Sequence, residues 1–165
     1  MAIIHSIIAE LEQEAKTTRR VLERVPDAHW EWKPHDKSFA LGKLAHHVAT
    51  IPGFFAEVGM VDSFDVANFK RVESANTAEV LQRHDAGLAS ALKNLATIDD
   101  VRALGMWSFA REGKTMVTMP RIAMIRSLLM NHWIHHRGVL TVYLRLLNVP
   151  VPPIYGPTAD ENPFA

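Results

Sequence analysis

Four stretches of this chain repeat apolar residues at spacings of three and four, and that repetition constrains the fold more than any other feature. The first runs from about Ile3 to Glu23, with Ile4, Ile8, Leu11, Ala15 and Leu22 on one side, and stops before Pro26. The second runs from about Ala40 to Val58 on Leu41, Leu44, Val48, Ile51 and Phe55. Pro52 lies inside it, which predicts either a kink or an early end. The third opens at Asn76, with Glu79 three residues on as in a capping box, and its stripe is Leu81, Leu88, Leu92 and Leu95. The fourth begins near Pro120, a favourable first helical position, and continues through Ile122, Ile125, Leu129, Trp133, Leu140, Leu144 and Leu147. The expected fold is therefore all-α, an antiparallel four-helix bundle in which residues 1–165 form one domain.

The connections are less regular. Val25 to Pro34 contains Trp30 and Trp32, with a short helical turn expected after Pro26. The two tryptophans either line a pocket mouth or seal the end of the bundle. Between helices three and four, Trp107–Ala110 and Thr115–Thr118 flank a glycine-bearing turn. That pattern allows a short β-hairpin or an extended loop. From about residue 149 the tail carries Pro150, Pro152, Pro153, Pro157 and Pro163, which rules out helix and predicts an extended run over the helices.

Charge and composition exclude several classes of function. Lysines plus arginines equal acids at 18 each, so no general electrostatic case exists for nucleic acid or an anionic membrane. No apolar run approaches the roughly 20 residues that span a bilayer. The apolar start Met1–Ile8 lacks a basic flank and is followed by Glu10, Glu12 and Glu14, so it reads as a helix rather than a signal peptide. The expected compartment is the cytoplasm. Cysteine is absent, which removes disulfides, thiolate ligands and a cysteine nucleophile.

The chain has nine histidines, and the helical wheel sorts them. His47 falls about 60° from the centre of the second stripe, and His46 lies roughly opposite. On the fourth helix His136 falls within about 20° of the stripe and His132 within about 60°, whereas His135 lies about 120° away. Periodicity thus turns His47, His132 and His136 inward. A single inward histidine is more often a hydrogen-bonded core residue than a ligand. Two imidazoles four apart on one inward face, joined by a third from a neighbouring helix, point to a divalent ion with an open position. Imidazole ligands suit zinc, nickel, iron or copper. His84 also faces inward, as a fourth ligand, an outer partner of the ligands or, by preference, a satisfied core residue. His5, His29 and His35 are expected in loops or at the surface. No acid falls on an inner face as a general base, since Glu57 and Asp85 look outward or marginal.

These residues resemble the DinB/YfiT-like superfamily of four-helix-bundle metalloenzymes over nearly the whole chain. The resemblance rests on Trp32-Lys33-Pro34-His35, on the Leu-Gly-x-Leu-x-x-His segment ending at His47, and on His132-x-x-x-His136-Arg137-Gly138. The tail from Val149 to Glu161 is similar to that of one branch of the family. The resemblance implies a divalent metal ion held by His47, His132 and His136. Many relatives carry glutamine after the Arg-Gly pair, where this chain has Val139.

Characterised relatives include transferases that join a low-molecular-weight thiol to an electrophile, and a thiol-dependent isomerase. The resemblance therefore implies a thiol transferase acting on a small molecule, with zinc, nickel or iron as cofactor. In a cysteine-free chain the thiol has to be a small cosubstrate. Two alternatives stay open: hydrolysis by metal-bound water, and a non-enzymatic stress-response or binding bundle. A homodimer is expected, because relatives often pair and two-fold pairing is the commonest oligomer.

Overall fold

The first stripe folds as α1 (Ile3–Leu22), which buries Ile4, Leu11, Ala15 and Leu22 and ends short of Pro26. The coordinates are a computed structural model that describes residues 2–70 and 72–164. After Pro26 the connector makes one 3₁₀ turn, Asp27–His29. Trp30 then lies flat on Gly42, where a Cβ would stand 2.1 Å from the indole ring. Trp32 meets Tyr143 edge-on at 5.7 Å. The connector therefore seals against the start of the second helix and the end of the last.

The second stripe is α2 (Leu41–Val58), and Pro52 does not end it. Proline lacks an N–H, so the carbonyl of Val48, four residues earlier, loses its helical donor. The indole N–H of Trp133 supplies one at 2.8 Å, from the far side of a buried interface. The orphaned acceptor thus joins α2 to the last helix.

The third stripe is α3 (Thr77–Leu95), capped by Asn76, whose side chain accepts from the Glu79 N–H at 2.9 Å. The Glu79 carboxylate reaches back to the N–H of Ala75 rather than that of Asn76. The inward face differs from the expected leucine row. Val80, His84, Ala91 and Leu95 are buried, while Leu81, Leu88 and Leu92 are only partly so. The reason is the close approach of α2, where a Cβ on Gly53 would stand 2.8 Å from the Cα of Gly87. Small residues set that contact, and a hydropathy stripe does not register them.

The all-α expectation needs correction, because the chain is mostly helical but also holds a small mixed sheet. A five-residue helix, α4 (Asp100–Leu104), leads into β2 (Met106–Arg111) and β3 (Lys114–Pro120). These two strands form the hairpin, which turns at Glu112 and Gly113 with φ of 52° and 76°. A third strand, β1 (Ser63–Asp65), pairs parallel to β2, with Ser63 opposite Ser108, giving the order β1-β2-β3. Its terminal carboxylate, Asp65, accepts from the N–H groups of Glu112 and Gly113 and ties the hairpin turn down. Three residues are too few to show alternation in sequence, which is why β1 went unanticipated.

The fourth stripe is one continuous rod: α5 (Arg121–Met124), a π-helical stretch (Ile125–Asn131) and α6 (His132–Leu146). It buries Met124, Ile125, Leu129, Trp133, Leu140 and Leu144. Beyond it no further helix or strand forms among the described residues. The tail buries Val151, Pro152 and Pro153 and is held by ion pairs from Arg145 to Asp160 and from Arg20 to Glu161. No helix among the described residues is long and apolar enough to cross a membrane.

Candidate metal centre

Three imidazoles meet where α2 faces α6. His47 comes from α2, His132 opens α6, and His136 follows one turn later. Their candidate ligand nitrogens all lie within 4.8 Å of one another. Ring centroids stand 5.0 Å apart for His47–His132, 4.5 Å for His47–His136 and 4.6 Å for His132–His136. The Nε2 atoms of His47 and His132 are 3.3 Å apart. Two nitrogens each about 2.0–2.1 Å from a tetrahedral ion would stand about 3.3 Å apart, so this edge already has the spacing of shared coordination.

The π-helical stretch prepares His132. Its backbone N–H reaches the carbonyl of Ser127, five residues back. The carbonyl of Leu128, which an α-helical N–H at this position would take, accepts from Nδ1 of the His132 ring at 3.2 Å. A carbonyl can only accept, so the ring proton sits on Nδ1 and the lone pair on Nε2 points at His47. π-Helical turns recur at functional sites because they displace backbone groups in this way.

Electrostatics favour neutral rings. Burial first, and then His132 and His135, together lower the pKa of His136 to about 4. Burial also lowers that of His132, against the hydrogen bond to Leu128. Neutral imidazole is the form that donates to a metal. In addition, Nδ1 of His136 is buried without a hydrogen-bond partner among the described residues. A triad of half-buried rings, two of them held toward the neutral form and one with an orphaned nitrogen, fits a divalent cation, and no carboxylate joins the cluster among the described residues.

The remaining histidines divide as the wheel implies, with one refinement. His135 is exposed, and so are His5, His29 and His35. His46 stays out of the triad yet is half-buried, with Nδ1 2.9 Å from the Ser74 hydroxyl. His84 is buried against Trp133 and bonds Asp85 through Nδ1 at 3.1 Å. Its Nε2 has no partner among the described residues, so it is a core residue only partly satisfied. Glu57 and Asp85 are exposed, as expected.

The site has supports that sequence reasoning did not reach. Arg137, next to His136, is 1% exposed and pairs with Glu14 of α1 at 2.5 Å. Its guanidinium also donates to the Thr18 hydroxyl at 3.1 Å and to the Tyr155 hydroxyl at 2.8 Å. Tyr155 completes the ring by donating to Glu14 at 3.1 Å. Arg137 belongs to the His-x-x-x-His-Arg-Gly motif, which was the available signal. Its α1 partners Glu14 and Thr18, 119 or more residues away, and Tyr155 in the tail were not readable.

Similar solved structures include two DinB-like proteins. A DinB-like protein from Bacillus subtilis shares 20% identity, with 91% of this chain and 96% of that chain covered at a TM-score of 0.72. A DinB-like protein from Bacillus cereus ATCC 10987 shares 19% identity, with coverages of 93% and 98% and the same TM-score. At such identities the likeness shows the shared fold. No protein of curated function matches the chain. The sequence pattern of the DinB family, however, matches residues 4–162, and the chain therefore belongs to the DinB family.

Proposed function

We propose that this chain is a metal-dependent enzyme in which His47, His132 and His136 hold a divalent ion, and that it transfers a low-molecular-weight thiol to an electrophile. The observation that carries the reading is the triad itself: three imidazoles from facing helices, with no fourth protein ligand in the cluster among the described residues. A divalent ion in such a site keeps an exchangeable position and its full positive charge, which lowers the pKa of a thiol or water that docks there. The chain's own residues fix the geometry. Leu128 holds the His132 tautomer, and Arg137 anchors the turn that carries His136 to α1. Burial disfavours protonation of His132 and His136. The chain contains no cysteine, so any reacting sulfur arrives with a cosubstrate.

The test is turnover against a panel of small cellular thiols and model electrophiles, with zinc-, nickel- and iron-loaded protein. Cobalt-loaded protein should develop a sulfur-to-metal charge-transfer band with the productive thiol. Turnover of esters or amides without any thiol, and no band across the panel, would replace transfer by hydrolysis.

A further inference from the structure

A cavity of about 270 Å³ opens beside the triad, with His47 and His132 in its wall. That volume is just below the usual range for ligand pockets, about 300–1,000 Å³. It suits one ring with a short substituent rather than a polymer or a long chain. Four phenylalanines, Phe39, Phe54, Phe55 and Phe69, line it. Phe54 meets Phe55 edge-on at 5.0 Å and Phe69 at a tilt at 4.8 Å, and the Phe55 ring lies 5.7 Å from His132. Phe69 and Val72 are 44% and 56% exposed although both line the cavity. Apolar side chains left in water around a concave site are the surface a hydrophobic ligand would cover.

The charged groups in the same wall are biased. Lys43, Lys70 and Arg83 contribute three cations, and Glu73 is the one carboxylate among the lining residues. Lys43 and Arg83 are half-buried, and the Lys43 ammonium lies 5.3 Å from the ring centroid of Phe39, itself a lining residue. In a chain whose cations and anions balance overall, this local excess is a property of the cavity.

We propose that the substrate of this site is a compact apolar carboxylate, its hydrocarbon or aromatic body against the phenylalanines and its anion held by Lys43 and Arg83. The proposal rests on the metal-centre reading only for which end of the substrate reacts, since His47 and His132 share the cavity.

The experiment measures binding to the full zinc-loaded chain by calorimetry, with four probes: phenylacetate, phenylacetamide, phenethylamine and acetate. Phenylacetate should bind about tenfold or more tighter than each of the others, the size of one charge-assisted hydrogen bond. Lys43→Gln with Arg83→Gln should remove that advantage and leave phenylacetamide binding unchanged. Equal binding of phenylacetate and phenylacetamide overturns the proposal, and so does acetate matching phenylacetate, or indifference to the double substitution. The same series on His136→Ala separates the two readings. A preference for phenylacetate that persists there places the charge in the cavity wall, even if elemental analysis finds no ion in the wild type. A preference lost together with the ion overturns the cavity proposal while leaving the metal centre intact.

Discussion

Trp133 donates its indole N–H to the carbonyl of Val48 at 2.8 Å, and Val48 is the residue whose helical donor Pro52 cannot supply. The two residues neighbour the site directly, since Trp133 follows His132 and Val48 follows His47. A proline that would ordinarily weaken α2 thereby sets the distance between the helices that carry the imidazoles. Trp133→Phe should leave a buried carbonyl without a donor and cost about 1–3 kcal/mol, plus the lost indole volume. In a Pro52→Ala background the restored N–H can take that carbonyl, so the same substitution should cost about 1 kcal/mol less. Urea denaturation of the four proteins measures this coupling. Equal costs in the two backgrounds would show that the proline and the tryptophan act independently.

The metal reading makes a selective prediction. Purified protein should carry about one divalent ion per chain, as an open three-histidine site implies. His132→Ala or His136→Ala should lose most of it. His135→Ala should keep it because His135 is exposed, and His46→Ala should keep it because His46 bonds Ser74 outside the triad. Elemental analysis decides the matter. Stoichiometric ion in a protein lacking both His132 and His136 would sink the assignment.

How much of this was legible in sequence depends on the length scale of the signal. The long helices were readable because each carries several turns of one period, and their ends at Pro26, Asn76 and Pro120 are marked chemically. The triad was readable for the same reason, since a side chain's angle on a regular helix follows from its position alone. What escaped was tertiary. β1 has three residues and exists because Ser63, Phe64 and Asp65 lie beside Ser108, Phe109 and Ala110. The inward face of α3 was misplaced because its contact with α2 is made by Gly53 and Gly87. His46 was set opposite the core by its wheel angle, yet the segment carrying Ser74 covers it.

The Arg137 network should matter to stability as well as to the site. Glu14→Gln removes the anion paired with a guanidinium that is 1% exposed, and breaking a buried pair from one side costs about 3–5 kcal/mol. Tyr155→Phe removes one neutral hydroxyl from the same ring of bonds and should cost about 1 kcal/mol. Denaturant midpoints with unchanged slopes would report these losses. A Glu14→Gln protein as stable as the wild type would mean that Thr18 and Tyr155 alone satisfy Arg137.

Acid should weaken the metal-free protein through its buried histidines before the lowered carboxylates of Asp27 and Asp65 titrate. His136 is lowered from 6.5 to about 4 by burial, then by His132 and His135. His132 and His84 are lowered too, again chiefly by burial. A lowered histidine pKa means that the unfolded chain takes up protons before the folded one does. Stability is therefore full above about pH 6.5, falls as the pH drops, and stops falling on this account near the folded-state value of His136. Asp27, held down by hydrogen bonds from Thr77, and Asp65, held down by the N–H groups of Gly113 and Ala67, both titrate below 3.8. Urea melts in chelator at pH 7.5, 6, 5 and 4.5 should show the decline, and His136→Asn should make it shallower, leaving the share of His132 and His84. A wild-type protein as stable at pH 4.5 as at 7.5 would mean that these rings accept protons where they stand, and the neutral, ligand-ready state of His132 and His136 would lose its electrostatic basis.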